Sequence, residues 1–190
     1  MRRTALALML CGTAFSMMAA YPVAPPSHPY AKAKVGDWME YTVVTRMDGQ
    51  EDTTSLRYTV IAKEARKIVV RMERKTRDAK TGKLKESKVD VPTPFDPWAN
   101  FGKGQESWSF SHNGLNFAGQ IEARGKENLV IQGQTISCNW VRHVVETEIS
   151  ESRSTFWRSA ELPLDGLAKS RVESNGITME TTMIAFGRGK

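Results

Sequence analysis

The sequence is poor in the residues that chemistry usually needs. Two cysteines among 190 residues cannot build a disulfide scaffold. Of the three histidines, His143 has no cysteine or second histidine at ligand spacing, so no zinc signature forms. HExxH, GxSxG, P-loop and GxGxxG patterns are all missing. There is no internal repeat, and no helical stripe runs longer than about two turns; Phe117 to Arg124 comes nearest to one. These absences predict a protein that is not an enzyme and holds no cofactor or metal. What is present is ordinary in bulk: 40% hydrophobic, 25% charged and 8% aromatic. Those proportions exclude collagen-like, coiled-coil and disordered chains, and the length suits one domain with a proper core.

The N-terminus is different in character. Met1-Arg2-Arg3 precedes an uncharged apolar stretch from Thr4 to Ala20 that ends in small residues, the pattern of a secretory signal peptide over 1–20. Cleavage is expected near Ala19 or Ala20 and leaves 25 basic against 21 acidic residues, a net charge near +4. The expected location is exported, in the periplasm or at the periphery of the outer membrane. An uncleaved anchor would have only 17 residues, the lower limit for crossing a bilayer. Lipidation at Cys11 is opposed by bulky Leu10 before it and by the apolar run after it. A twin-arginine signal would need polar residues around Arg2-Arg3. Without Cys11, Cys138 is the lone thiol, and its apolar neighbours make it a buried small hydrophobe. Four prolines between Tyr21 and Tyr30 predict a solvated, extended spacer over 21–34, ahead of one β-rich domain over 35–190.

That domain alternates with a period of two. Met39, Tyr41, Val43 and Met47 share one face of a strand over Trp38–Met47. Leu56, Tyr58, Val60 and Ala62 do the same, as do Ile68, Val70 and Met72. Further strands are expected at Lys83–Val91, Leu129–Ile131, Thr135–Ile149, Ser154–Ala160, Leu167–Glu173 and Ile177–Phe186. Asp48-Gly49, Thr81-Gly82, Asn113-Gly114, Gln132-Gly133 and Asn175-Gly176 punctuate them as turns. Eight or nine such strands predict a mainly β fold, a strongly curved antiparallel sheet that is either a half-barrel or a barrel. A loop or short helix would fill its concave face. Pro92 to Phe101, with three prolines and three aromatics, is the expected filler.

Candidate sites follow from that picture. Phe95, Trp98, Phe101 and Trp140 are the candidates for lining an apolar ligand site, since broad rings adapt to apolar shapes. The segment Lys63–Lys88 is rich in cations. Arg71, Arg74, Lys75, Arg77, Lys80, Lys83 and Lys85 would form a positive ridge suited to an anionic membrane surface. Edge lysines that prevent aggregation explain the same pattern. Nucleic acid is not an expected partner of an exported chain whose aromatics are not interleaved with its charges. Glu146, Glu148 and Glu151 crowd one strand end and are the sole candidates for acid–base work; a solvated face beside Arg142 and Arg153 is the plainer explanation.

The stretch Trp157-Arg158-Ser159-Ala160-Glu161-Leu162-Pro163-Leu164-Asp165-Gly166-Leu167-Ala168-Lys169, with Gln132 to Cys138 before it and Met183–Gly187 after it, carries a resemblance. It resembles a group of exported bacterial proteins of unknown function that share a "W-x-S-x-x-[VL]-P-x-x-G-[LV]-x-K" ending. Such endings are similar to those of the half-barrels of periplasmic lipoprotein carriers and outer-membrane lipoprotein receptors. The resemblance covers about the last third of the chain, and it implies a sheet around a plug with a cavity for acyl chains. By its own chemistry the segment is a corner: Pro163 stops a strand and Asp165-Gly166 turns the chain. The expected function is therefore a non-catalytic envelope protein that binds or carries a lipid, acyl or apolar ligand in its concave sheet. The alternative is an accessory or structural subunit of an envelope complex, paired to a protein partner through a strand edge.

Overall fold

The computed structural model describes residues 29–64, 67–77, 81–94, 106–112, 115–147 and 149–189. A short 3₁₀ turn, Pro29–Lys32, leads into the strands β1 (Trp38–Met47), β2 (Gln50–Lys63), β3 (Lys67–Arg77), β4 (Leu84–Pro94), β5 (Ser107–His112), β6 (Leu115–Ile131), β7 (Gln134–Thr147), β8 (Glu151–Arg158), β9 (Leu167–Ser174) and β10 (Ile177–Gly187). They form one antiparallel sheet of ten strands in the order β4-β3-β2-β1-β10-β9-β8-β7-β6-β5. Each neighbour is the next strand in sequence, except at the seam where β1 meets β10. The edges β4 and β5 do not pair, so of the two expected architectures the open one is found.

Local chemistry explains most of this. Asp48-Gly49, Gln132-Gly133 and Asn175-Gly176 each place two consecutive residues at positive φ. That is the two-residue turn whose twist matches the flanking strands. Register shifts at Glu40/Tyr41, Val60/Ala62, Ile121/Ala123 and Trp157/Arg158 mark bulges, which bend a sheet. The bending is large. β6 and β10 are four strand spacings apart, about 19 Å in a flat sheet. Yet the amide of Phe186 on β10 donates to Gln132, in the turn after β6, at 3.3 Å.

The core lies at one end of the sheet. Met39 and Tyr41 from β1, Val60 from β2, Ile68 and Val70 from β3 and Met183 from β10 are buried there together with Ile131, Ile136 and Cys138. The same end is closed by the β8–β9 loop, which inserts Leu162 and Leu164, and by Ala33 and Tyr30 ahead of β1. Asp37, with no exposed surface, ties these pieces together. Its carboxylate accepts the amides of Gly189 at 2.8 Å and Lys34 at 2.9 Å, and Arg188 lies 3.7 Å away.

Four expectations need correction. Residues 29–34 are not spacer: Ala33 is 1% exposed, because a 3₁₀ turn after Pro29 carries Tyr30 and Ala33 onto the core. Phe117 to Arg124 is strand, not helix; Ala118, Gln120, Glu122 and Arg124 are exposed while the residues between them are covered, a period of two. β5 adds a strand that the sequence did not announce. The filler is not Pro92 to Pro94 either. These residues continue β4, where an edge tolerates proline, and the rest of that expected plug, 95–101, lies outside the described residues.

Candidate functional site on the inner face beyond the core

The face that buries Met39 and Tyr41 continues past the core toward the hairpin turns. Register assigns its side chains. Val43, Thr181, Ser170, Phe156 and Val141 stand opposite one another across β1, β10, β9, β8 and β7. The next row is Thr45, Met179, Val172, Ser154 and His143. Apart from buried Val43 and Ser170, the members of these rows are partly exposed. The surface is mixed in kind: apolar Phe156, Met179 and Val172 alternate with hydroxyls and one imidazole. Ser170 has no exposed surface, and its hydroxyl has no hydrogen-bond partner. A buried hydroxyl without a partner is costly.

His143 and Ser154 face each other. Burial lowers the pKa of His143 below 6.5, and Arg158 adds to the shift. Tyr41 is committed to structure; its hydroxyl donates to the carbonyl of Leu167 at 2.8 Å, and burial raises its pKa strongly. Among the described residues no three acidic, histidine or cysteine side chains converge on a metal position.

The opposite face is a lattice of charge pairs. Glu40, Arg57, Glu73 and Lys88 stand in register across β1 to β4, alternating in sign. The contacts are 3.6 Å for Arg57–Glu40 and 3.0 Å for Lys88–Glu73. Arg71 grips Asp90 with two nitrogens at 2.8 and 3.0 Å, and Lys75 meets Glu86 at 3.2 Å. Lys88 and Arg71 hold Glu73 and Asp90 below the usual carboxylate range. Within the expected positive ridge, Arg71 and Lys75 pair with acids on β4. Arg74 and Arg77 bond neutral oxygens, of Thr76 at 3.1 Å and Gly82 at 3.2 Å, and Lys83 and Lys85 are exposed beside them at the hairpin tip. Lys80 lies outside the described residues. Cross-strand pairing, invisible in a one-dimensional count, is what makes the difference.

Trp140 stands in a row with Trp157, on the face of β7 that also carries Ile136 and Cys138 of the core cluster. Lys169, Thr182 and Thr42 continue that row. The Trp140 ring lies over Gly125, where a Cβ would come within 2.8 Å of it. Its neighbour Trp157 donates from the indole nitrogen to Glu127 at 2.6 Å, with the Lys169 ammonium 5.1 Å from its ring. The two tryptophans thus seal the core's margin. Phe95, Trp98 and Phe101 lie outside the described residues. Glu146 stands exposed opposite Glu151, which pairs with Arg153 at 2.8 Å, while Arg142 and Arg153 flank Glu122; Glu148 lies outside the described residues. Ser170 was missed because it belongs to no motif, and His143 was weighed only as a metal ligand; register places both on the inner face.

No protein-family model and no curated protein matches the sequence. Solved structures give distant likenesses. A protein with a YmcC-like fold from Bacteroides fragilis is 12% identical, with a TM-score of 0.43, over 82% of this chain and 97% of that one. The hypothetical lipoprotein YmcC from Escherichia coli is 18% identical, with a TM-score of 0.40, over 76% of this chain and 83% of that one. A DUF1329 family protein from Desulfovibrio piger is 9% identical, with a TM-score of 0.30, over 85% and 94% of the two chains. Likeness at this level transfers no activity, and the architecture here stands on its own strand registers.

Proposed function

We propose an exported, non-catalytic envelope protein that holds an apolar chain, such as an acyl chain, against the inner face of its open sheet. The observation that carries this reading is the mismatch between core and face. The core fills one end, and the same face then runs on with Phe156, Met179 and Val172 only partly covered and with a partnerless Ser170 hydroxyl below them. Apolar side chains left half in water gain about 25 cal/mol for each Å² that a ligand covers. Export rests on the basic start and apolar run of residues 1–20.

Native mass spectrometry of the protein, purified without detergent from its own envelope, tests both parts. The expected spectrum shows a polypeptide that starts near residue 20 and carries an added mass in the lipid range. Met179→Lys, on the partly exposed part of the face, should lose that added mass while keeping the β-sheet circular dichroism. A bare polypeptide mass from the native envelope would sink the ligand reading, and an intact leader on soluble protein would sink export.

A further inference from the structure

Backbone alternation decides which groups β4 offers to solvent. Val60 on β2 donates to Asp37 at 2.9 Å and accepts from Gly36 at 2.8 Å, both on the β1 side. Its neighbour Thr59 therefore points toward β3 and pairs with Arg71. Val70, one residue back, then points toward β4, where it meets Val91. The register from Lys67↔Pro94 to Arg77↔Leu84 has no bulge, so odd-numbered residues of β4 face β3 throughout. Leu84, Glu86, Lys88 and Asp90 aim their amides and carbonyls outward, while Pro92 and Pro94, also outward, have no amide to give. The prolines thus end a usable edge that runs from Leu84 to Asp90.

We propose that this edge pairs with the same edge of a second copy, antiparallel, with Ser87 on the two-fold axis. In that register Glu86 faces the second copy's Lys88, Leu84 faces its Asp90, and every outward amide between the two ends has a carbonyl opposite it. Centring the axis on Glu86 or on Lys88 instead sets like charges against each other, which a cross-strand pair disfavours. Centring it on Val89 brings in the donorless prolines. Apolar surface agrees as well. Leu84 is 54% exposed, Val89 47% and Val91 42%, a cluster on one strand. On the inner side Lys85 and Lys83 of one copy cross Val89 and Val91 of the other, where their alkyl stems cover the valines. The charge ladder of the outer face then runs on across the axis from Lys88 to the other copy's Glu86. This proposal uses the edge alone and stands apart from the ligand reading.

Sedimentation of the purified protein over a wide concentration range, together with Cys11→Ser/Ser87→Cys under mild oxidation, tests it. Paired Ser87 positions would sit across a site without hydrogen bonds, where Cα atoms approach to about 4.5 Å, so a disulfide-linked dimer should form. Lys88→Pro removes one outward amide and leaves the β3 ladder whole, so it should give a monomer with an unchanged circular dichroism spectrum. The proposal is overturned if the protein is monomeric at every concentration, if the dimer survives Lys88→Pro, or if Val89→Cys cross-links and Ser87→Cys does not.

Discussion

His143 is the residue whose charge state the fold changes most usefully for a test. It stands opposite Ser154 with its ring 6.0 Å from that of Phe156, and burial and Arg158 both depress its pKa from 6.5. Below pH 6.5 the unfolded chain takes up a proton at this position while the folded protein resists it. The unfolded state then binds more protons, so stability falls as pH drops through the interval between 6.5 and the lower folded value. Thermal melts from pH 7.5 down to pH 5 should show His143→Gln losing less stability than the parent over that interval. Parallel curves would show that the imidazole is not held neutral. Packing at single residues is equally specific: Gly125 exists where it does because any side chain would strike the Trp140 ring.

At the scale of elements, the junction around Asp37 joins parts that are far apart in the chain. Lys34 precedes β1, Val60 lies near the C-terminal end of β2 and Gly189 follows β10, and all three hydrogen-bond to Asp37. A buried carboxylate is tolerable only because amides satisfy it. Asp37→Ala should therefore cost on the order of 3 kcal/mol, the loss of charge-assisted bonds and the stranding of their donors. Urea unfolding measures this, and a change within about 0.5 kcal/mol, typical of a surface substitution, would show that the junction is dispensable. β6 teaches the opposite lesson. Its alternation is diluted by Gly119, Ala123 and Gly125, small residues without a hydrophobic signature, so Phe117 to Arg124, inside a strand of 17 residues, came nearest to a helical stripe.

For the whole molecule, the seam between β1 and β10 is, among the described residues, the only pairing of strands distant in sequence, and it joins β1–β4 to β5–β10. The strands flanking this seam also carry much of the buried core. Amide hydrogen exchange should accordingly be slowest in β1, β2, β9 and β10 near Tyr41 and Ala168, and fastest in the edges β4 and β5. Exchange as slow in β4 as in β1 in dilute solution would contradict the sheet order. In concentrated solution, selective slowing at Leu84, Glu86, Lys88 and Asp90 is the signature of edge pairing.

The sequence by itself determined the β class, the hairpin turns and the alternation of β1 to β3, because these depend on residues adjacent in the chain: Asn and Asp before Gly at positive φ, and a side chain every second position pointing inward. The expectation of a secretory leader over 1–20 likewise comes from the sequence alone. The placement of function was left to tertiary structure. Arg71 and Lys75 read as a positive surface until β4 supplied Asp90 and Glu86. Ser170 and His143 share the inner face, in adjacent rows, only because β7, β8 and β9 pair in one register. Charge neutralisation and face assignment are properties of neighbouring strands, and a linear pattern does not carry them.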